Sequence, residues 1–154
     1  MKRNYFFIFF LVINFTGLAI GSWLMDGGST GDWYNNLSKA PWTPTGWVFG
    51  AAWTTIMLTF SWYLAELFFN RASKFLWILY GFQVLLNVSW NWIFFSQHLT
   101  NIALVIIILL TLVIFYYFIT FRNDRLKTAK YLLLPYMIWL CIATSLNAYI
   151  VINN

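Results

Sequence analysis

The sequence predicts an all-α integral membrane protein, a bundle of five transmembrane helices, and its composition, apolar runs and charge placement all indicate this class. Hydrophobic residues make up 62% of the 154 residues and charged residues 8%, against about 45–50% and 25% in soluble domains. The mean hydropathy is +0.72. Because so few charges could not cover a soluble surface, a soluble enzyme and a disordered tail are excluded. The single cysteine, Cys141, excludes an intrachain disulfide and a cysteine-rich metal cluster.

Five stretches have the length of about 20 mostly apolar residues that a membrane-crossing helix needs. They cover residues 5–25, 47–69, 75–95, 102–121 and 131–151. Backbone groups in lipid must be bonded within their own segment, which favours helices. Most connections are short and predict an up-down bundle, one domain over residues 1–154. Only residues 26–46 form a loop long enough to have a structure of its own.

The first span has an alternative interpretation as a signal peptide, because Lys2 and Arg3 precede its apolar run. The run continues to Met25, beyond the usual 7–15 residues of a signal peptide, and this favours a retained helix.

The basic residues predict the orientation in the membrane. Eight of the nine fall on one side of the predicted bundle: Lys2, Arg3, Arg71, Lys74, Arg122, Arg125, Lys127 and Lys130. The other side holds only Lys39, in the same loop as Asp26 and Asp32. Since basic loops stay cytoplasmic, the amino end is predicted inside and the long loop outside, most simply in a bacterial plasma membrane. This asymmetry explains the pI near 9.5 without a nucleic-acid partner.

The usual catalytic and metal-binding groups are sparse. His98 stands alone in a loop and is expected to be solvated, and Glu66 is the only acidic residue within a span. Glu66 lies in the last turn of its span, where it is expected to reach the membrane interface. We therefore predict no metal site, no resident cofactor and no ion-coupled pump.

Three predicted spans carry stripes that pair a tryptophan with small or amide residues at helical spacing. The stripes are Gln83, Asn87 and Asn91 bordered by Trp90; Pro135, Trp139, Ala143 and Asn147; and Gly46, Gly50 and Trp53 with Phe49 adjacent. Amides facing lipid would be costly, so these faces should point into the bundle. Helix packing would explain each residue singly, but three such stripes favour a shared ligand cavity.

The loop at 26–46 and the first span contain further motifs. Pro41 and Pro44 fix the backbone on either side of Trp42, which predicts a stiff aromatic lid. Gly17 and Gly21 form a small-xxx-small motif that is compatible with a homodimer contact or with a contact inside the chain.

At this loop the sequence resembles the TspO/MBR family, the tryptophan-rich sensory proteins and the translocator protein or peripheral benzodiazepine receptor. The run Lys39-Ala40-Pro41-Trp42-Thr43-Pro44 is followed by Gly46-Trp47-Val48-Phe49-Gly50 and Trp53. Further matches are Trp33-Tyr34, Leu86-Asn87, Trp90, Phe94-Phe95, Leu134-Pro135-Tyr136, Trp139, Ala143, Leu146 and Asn147. The resemblance covers nearly the whole chain.

The resemblance implies a five-helix membrane bundle that binds porphyrins, such as protoporphyrin IX, and benzodiazepine-site ligands beneath the first loop. The ligand-binding residues it implies, together with Asn147 from the stripe above, are Tyr34, Pro44, Phe49, Trp53, Asn87, Trp90, Asn91, Trp139, Ala143 and Asn147. Thr45 and Ala51 depart from the family's usual prolines, which predicts a looser lid. No basic residue follows Tyr149, so the cholesterol motif of animal members is incomplete.

Two alternatives to a tetrapyrrole receptor or carrier stay open at this point. The first is a light-dependent enzyme that degrades bound protoporphyrin; the resemblance implies that Trp53 and Trp139 would be its essential residues. The second is a structural membrane subunit that uses Gly17 and Gly21 to bind a partner.

Overall fold

The computed structural model describes residues 3–25, 27–121 and 126–154. Its helices are α1 (Arg3–Trp23), α2 (Asp32–Asn36), α3 (Gly46–Arg71), α4 (Lys74–Asn91), α5 (Thr100–Thr120) and α6 (Leu134–Asn153). Short 3-10 turns cover Gly28–Thr30 and Ala129–Leu133. The predicted all-α class is confirmed. Lys2, Asp26, Arg122 and Arg125, which entered the charge argument, lie outside the described residues.

All of these helices except α2 are long and apolar enough to cross a membrane. They correspond to the five predicted spans, with ends that differ by a few residues. The five form a closed ring: α1 packs along α3 and against α4, α6 contacts α3 and α5, and α5 packs on α4. Neighbours in the chain are therefore not always neighbours in the ring, because α1 lies between α3 and α4.

The two ends of the ring differ in character. The lid end carries residues 27–45, and the C-terminal residue Asn154 is hydrogen-bonded there to the backbone of Ser38. The opposite, basic end carries the start of α1 and the end of α3, where Arg3 Nη1 lies 3.1 Å from Glu66 Oε1. Glu66 thus lies near the end of its helix, as expected. Its ion-pair partner is Arg3 of α1, which the sequence did not suggest.

The half of the bundle at the basic end is packed solidly with aromatic rings. Phe60 is 1% exposed, and its ring centroid lies 5.3 to 6.5 Å from those of Tyr63, Tyr117 and Tyr136. In a membrane the surrounding lipid is as apolar as the core, so close packing and hydrogen bonds hold such helices together.

Buried polar side chains connect three helices near the middle of the bundle. Asn14 of α1 donates a 2.8 Å hydrogen bond to Ser61 Oγ of α3 and accepts one of 2.8 Å from the Tyr80 hydroxyl of α4. Ser61 in turn donates to the carbonyl of Met57. Because an unpaired amide would be costly at this depth, these bonds fix α1 against both neighbours.

One irregular turn shapes the lid end. After Asn91, α4 continues as a π-helical turn over Trp92–Ser96, in which the Gln97 amide donates to the Trp92 carbonyl. Such turns widen a helix and change the direction of the following side chains. Ser96 Oγ then donates to the Leu24 carbonyl and fastens this turn to the end of α1.

Candidate functional site: an aromatic cavity beneath the lid

At the lid end the ring of helices opens into a cavity of about 250 Å³. All five long helices and the lid contribute to its wall. The lining residues are Leu18, Ser22, Met25, Ser29, Tyr34, Phe49, Gly50, Trp53, Thr54, Trp90, Asn91, Phe95, Ile107, Trp139 and Ala143. Seven of the ten sequence-predicted binding residues are among them: Tyr34, Phe49, Trp53, Trp90, Asn91, Trp139 and Ala143.

The rings in the wall are held edge to face by their neighbours. Phe49 meets Trp139 with ring centroids 5.2 Å apart and planes at 89°, and Trp53 meets Tyr136 at 6.0 Å and 72°. Trp90 is instead stacked on Phe94 at 5.2 Å and 17°. Small residues between the rings, Gly50 and Ala143, leave the space that larger side chains would fill.

Asn147 lies behind the wall and orients one of these rings. It is 1% exposed and accepts a 3.1 Å hydrogen bond from the Trp90 indole nitrogen. Its own amide nitrogen donates to the Thr100 carbonyl at 3.0 Å. The structure therefore places Asn147 outside the cavity lining, as a residue that positions Trp90 through the start of α5.

Asn87 also lies outside the lining. Its amide nitrogen donates to the Tyr136 hydroxyl at 2.6 Å, and Gln83 donates to the same oxygen at 2.9 Å. Of the amide stripe on α4, only Asn91 reaches the cavity. The stripe faces the bundle interior, but Gln83 and Asn87 bond to the hydroxyl of Tyr136 and do not reach the cavity. The ring of Tyr136 in turn packs against Trp53.

The two glycines of α1 are used inside the chain. A Cβ atom added at Gly21 would lie 2.6 Å from Asn91 Nδ2, and one at Gly17 would lie 3.6 Å from Val88 Cγ2. Gly21 thus gives Asn91 the room to stand in the cavity wall. The sequence allowed this motif a homodimer contact or a contact inside the chain, and the structure shows a contact inside the chain, with α4.

The lid forms a second, wider space above the cavity. This vestibule measures about 540 Å³ and is lined by Ser29, Thr30, Tyr34, Lys39, Ala40, Thr43, Pro44, Thr45, Gly46 and Phe49. Ser29, Tyr34 and Phe49 line both spaces, so the vestibule and the cavity meet at these three residues. Pro44 lines the vestibule and not the inner cavity. The sequence-based prediction groups it with the binding residues, most of which line the inner cavity.

Tyr34 is the lid residue that separates the two spaces. It is 8% exposed, its ring lies 5.4 Å from that of Phe95, and Lys39 Nζ lies 4.9 Å from its centroid. Burial raises the pKa of the Tyr34 hydroxyl. The ring therefore stays neutral at physiological pH and presents a face that attracts a cation.

The tryptophans of the lid rest on the rim. Trp33 is stacked on His98 at 4.0 Å and 12°, so this histidine, although exposed, is a partner of the lid. Trp42 donates a 3.1 Å hydrogen bond to Ser145 Oγ and meets Tyr149 edge to face at 5.5 Å. These contacts fix the lid at its edges and leave Tyr34 above the cavity.

Several lining residues carry no signal in the sequence. Ser22, Met25, Thr54 and Ile107 look like ordinary residues of apolar helices, and the ring order alone brings them to the cavity. In the sequence, Phe95 stands out only as part of the Phe94-Phe95 pair, and the π-helical turn directs it inward. Across the described ranges no group of three His, Cys, Asp or Glu side chains is arranged to hold a metal ion.

Comparison with known proteins identifies the family. The sequence profile of the TspO/MBR family matches residues 9–152. Protein CrtK of Rhodobacter capsulatus is 31% identical over 124 residues, which are 77% of this chain and 76% of that protein. The tryptophan-rich sensory protein of Cereibacter sphaeroides is 32% identical over 117 residues, 75% of this chain and 73% of the relative.

A third relative aligns over a longer range. The tryptophan-rich protein TspO of Bacillus cereus is 27% identical over 149 residues, 96% of this chain and 94% of the relative. With a family match over nearly the whole chain and five helices of membrane-crossing length, the chain is an integral membrane protein that belongs to the TspO/MBR family.

Proposed function

We propose that this protein binds a flat aromatic ligand, a tetrapyrrole such as protoporphyrin IX, in the cavity beneath the lid and acts as a membrane receptor or carrier for it. The name tryptophan-rich sensory protein, borne by one relative, supports a sensory or regulatory role in the membrane. The observation that carries the proposal is the convergence of Trp53, Trp90 and Trp139 from three helices on one cavity.

The lining suits a planar, largely apolar molecule. Small-molecule sites are typically apolar and aromatic with a few polar groups that set the orientation. Here the rings of Phe49, Trp53 and Trp139 supply the apolar surface, and Asn91 supplies an amide. Ring pairs contribute about 0.5–1.5 kcal/mol each beyond the area they bury. The same lining would accept the synthetic benzodiazepine-site ligands that the family resemblance implies.

Size indicates how such a ligand would sit. The inner cavity, at about 250 Å³, is smaller than the roughly 300–1,000 Å³ of ordinary small-molecule sites. The vestibule adds about 540 Å³ directly above it. A macrocycle would therefore occupy both spaces, with one edge among the tryptophans and the other beneath the lid.

Titration of the purified protein with protoporphyrin IX, read by quenching of tryptophan emission, tests the proposal. We expect saturable quenching, with an affinity about 3–10-fold weaker for Trp139→Leu because one ring pair is lost. Trp62→Phe is the matched control, since Trp62 is exposed on the outer face of α3. Quenching that never saturates, or equal affinities for the two variants, would contradict the proposal.

A second candidate function is light-dependent degradation of the bound porphyrin. It is favoured by the presence of Trp53 and Trp139 in the wall of the same cavity. A photoexcited porphyrin can take an electron from an adjacent indole or pass its energy to molecular oxygen, which then attacks the ring. The two tryptophans would be the catalytic residues of this reaction.

Illumination of the complex in air separates binding from degradation. If the protein is an enzyme, the porphyrin absorbance should fall faster with wild type than with the Trp53→Phe/Trp139→Phe variant at equal occupancy. Equal rates would reject catalysis and leave binding intact.

We also propose that the basic end faces the cytoplasm of a bacterial cell and the lid faces outward. The support is the position of Arg3, Arg71, Lys74 and Lys130 at one end of the described bundle, with Lys39 at the other. A cysteine introduced at Asn154, with Cys141→Ser as background, should react with a membrane-impermeant maleimide in intact cells. Labelling only after lysis would indicate the opposite orientation, with the lid facing the cytoplasm.

A further inference from the structure

Among the described residues, Lys39 is the only basic one in the wall of either space at the lid end. It lines the vestibule, and its ammonium nitrogen lies 4.9 Å from the centroid of Tyr34. Tyr34 in turn lines the inner cavity. The ammonium group is thus held over the ring that divides the apolar space from the wider space above it.

The remaining wall of the vestibule is polar but carries no negative charge among the described residues. Hydroxyl groups of Ser29, Thr30, Thr43 and Thr45 accompany the lysine. The one ion pair in the described part of the chain joins Arg3 and Glu66 at the opposite end. The hydroxyls of Thr30 and Thr43 donate to the carbonyls of Gly27 and Ala40. The vestibule therefore combines one cation with the hydroxyls of Ser29 and Thr45, a set of groups that suits an anionic oxygen.

Hydrogen bonds within the lid fix the backbone that carries this ammonium group. Ala40, the next residue, is 4% exposed, and its carbonyl accepts hydrogen bonds from both the amide and the hydroxyl of Thr43. Ser38, the preceding residue, is bonded through its own amide and carbonyl to Asn154. The backbone of Lys39 is consequently fixed on both sides, so that binding a ligand orders only its side chain.

We infer that the vestibule is a carboxylate subsite, in which Lys39 Nζ pairs with an acid group at one edge of a planar ligand whose ring lies against the tryptophans below. This inference rests on the proposed function and narrows the ligand class. The preferred ligand is an amphiphile with an extended aromatic ring and carboxylates on one edge. A neutral ring of the same size would occupy the same two spaces without this charge pairing.

Two probes with the same ring separate this subsite from the cavity: protoporphyrin IX, which carries two carboxylates, and its dimethyl ester, which carries none. We expect wild type to bind the diacid about 5–10-fold more tightly than the ester. Lys39→Gln should remove this preference by weakening the diacid alone, and Lys39→Arg should keep it. An unchanged ratio of affinities in Lys39→Gln overturns the inference.

Lys130→Gln is the matched control, because Lys130 also lies over aromatic rings, 5.1 Å from Phe118 and 5.1 Å from Tyr131, but precedes α6 at the basic end. An equal loss of preference in this variant would assign the effect to overall charge and overturn the inference. Wild type offers a test that needs no substitution, since the preference for the diacid should shrink as salt is raised. A salt-independent preference also counts against Lys39.

The two proposals fail differently. If wild type binds neither probe saturably, the proposed function is wrong and the subsite falls with it. If wild type binds both probes equally tightly, the cavity function stands and the carboxylate subsite is rejected.

Discussion

The two halves of this bundle are built from the same kinds of residue and are packed in opposite ways. At the basic end, Phe60, Tyr63 and Tyr117 are at most 1% exposed and fill the space between the helices. At the lid end, Phe49, Trp53 and Trp139 stand around about 250 Å³ of space. Aromatic content alone therefore does not distinguish a core from a binding site.

The difference lies in the neighbours of the rings. Rings at the basic end meet other rings and large aliphatic side chains, such as Leu64 and Leu67, and close on one another. Rings at the lid end alternate with Gly50 and Ala143, and are held from behind by polar groups such as Asn147 and Tyr136. The cavity stays open because the residues that hold these rings in place, such as Asn147 and Tyr136, lie behind the wall and not in the space between the rings.

The largest expected effect comes from truncating one phenylalanine in each half. Phe60→Ala should cost on the order of 3 kcal/mol of unfolding free energy, because it removes a ring enclosed on all sides. Phe49→Ala should cost about 1 kcal/mol, since one side of Phe49 already faces the cavity. Thermal unfolding in detergent compares them. Equal losses would show that the lid half is packed as tightly as the basic half.

The support behind the wall can be removed without touching the cavity. Asn147→Leu should cost about 1–3 kcal/mol, because the Trp90 indole nitrogen and the Thr100 carbonyl both lose a partner. It should also weaken ligand binding as Trp90 loses its fixed orientation. Asn153→Leu is the control, since Asn153 is exposed and bonds only to the Tyr149 carbonyl of its own helix. If both variants melt alike, Asn147 does not hold the wall.

The glycines of α1 offer a comparison between two neighbouring turns. Alanine at Gly21 would meet Asn91 Nδ2 at 2.6 Å and push this flexible amide aside, whereas alanine at Gly17 has room. Both variants gain the same helix propensity. We expect Gly21→Ala to weaken ligand binding several-fold with little loss of stability, and Gly17→Ala to leave affinity unchanged. Equal affinities in isothermal titration would show that Asn91 does not contribute to the wall.

The smallest expected effect is at the ion pair of the basic end. Arg3→Gln should change the unfolding free energy by less than about 1 kcal/mol, because Arg3 is 54% exposed and solvent screens the pair. Ligand affinity should not change, since the pair lies in the half without the cavity. A shift in affinity would show that the two halves are coupled.

The fold could be predicted from the sequence because its strongest signals are local. Five apolar runs and their short connections specify five helices, and the helix period places Trp53, Trp90 and Trp139 on interior faces. The ring order is not local, and it decides that Ile107 and Ser22 reach the cavity.

Within the stripes, the sequence could not predict which hydrogen-bond partner each buried amide would find. Periodicity puts Asn87, Asn91 and Asn147 inside the bundle, but it cannot say which amide faces the open space. Asn87 turns to Tyr136 and Asn147 to Trp90, and only Asn91 reaches the cavity. The direction of Phe95 likewise depends on a π-helical turn, which has no sequence signature of its own.

The central claim is that the hollow among the tryptophans is where the ligand binds, and filling that hollow tests it most directly. Ala143→Leu adds a larger side chain to the cavity wall, whereas Cys141→Leu adds bulk to the exposed face of the same helix. In equilibrium titrations with protoporphyrin IX, we expect Ala143→Leu to lose at least about tenfold in affinity while remaining folded, and Cys141→Leu to match wild type. Undiminished affinity in a folded Ala143→Leu protein would contradict the account.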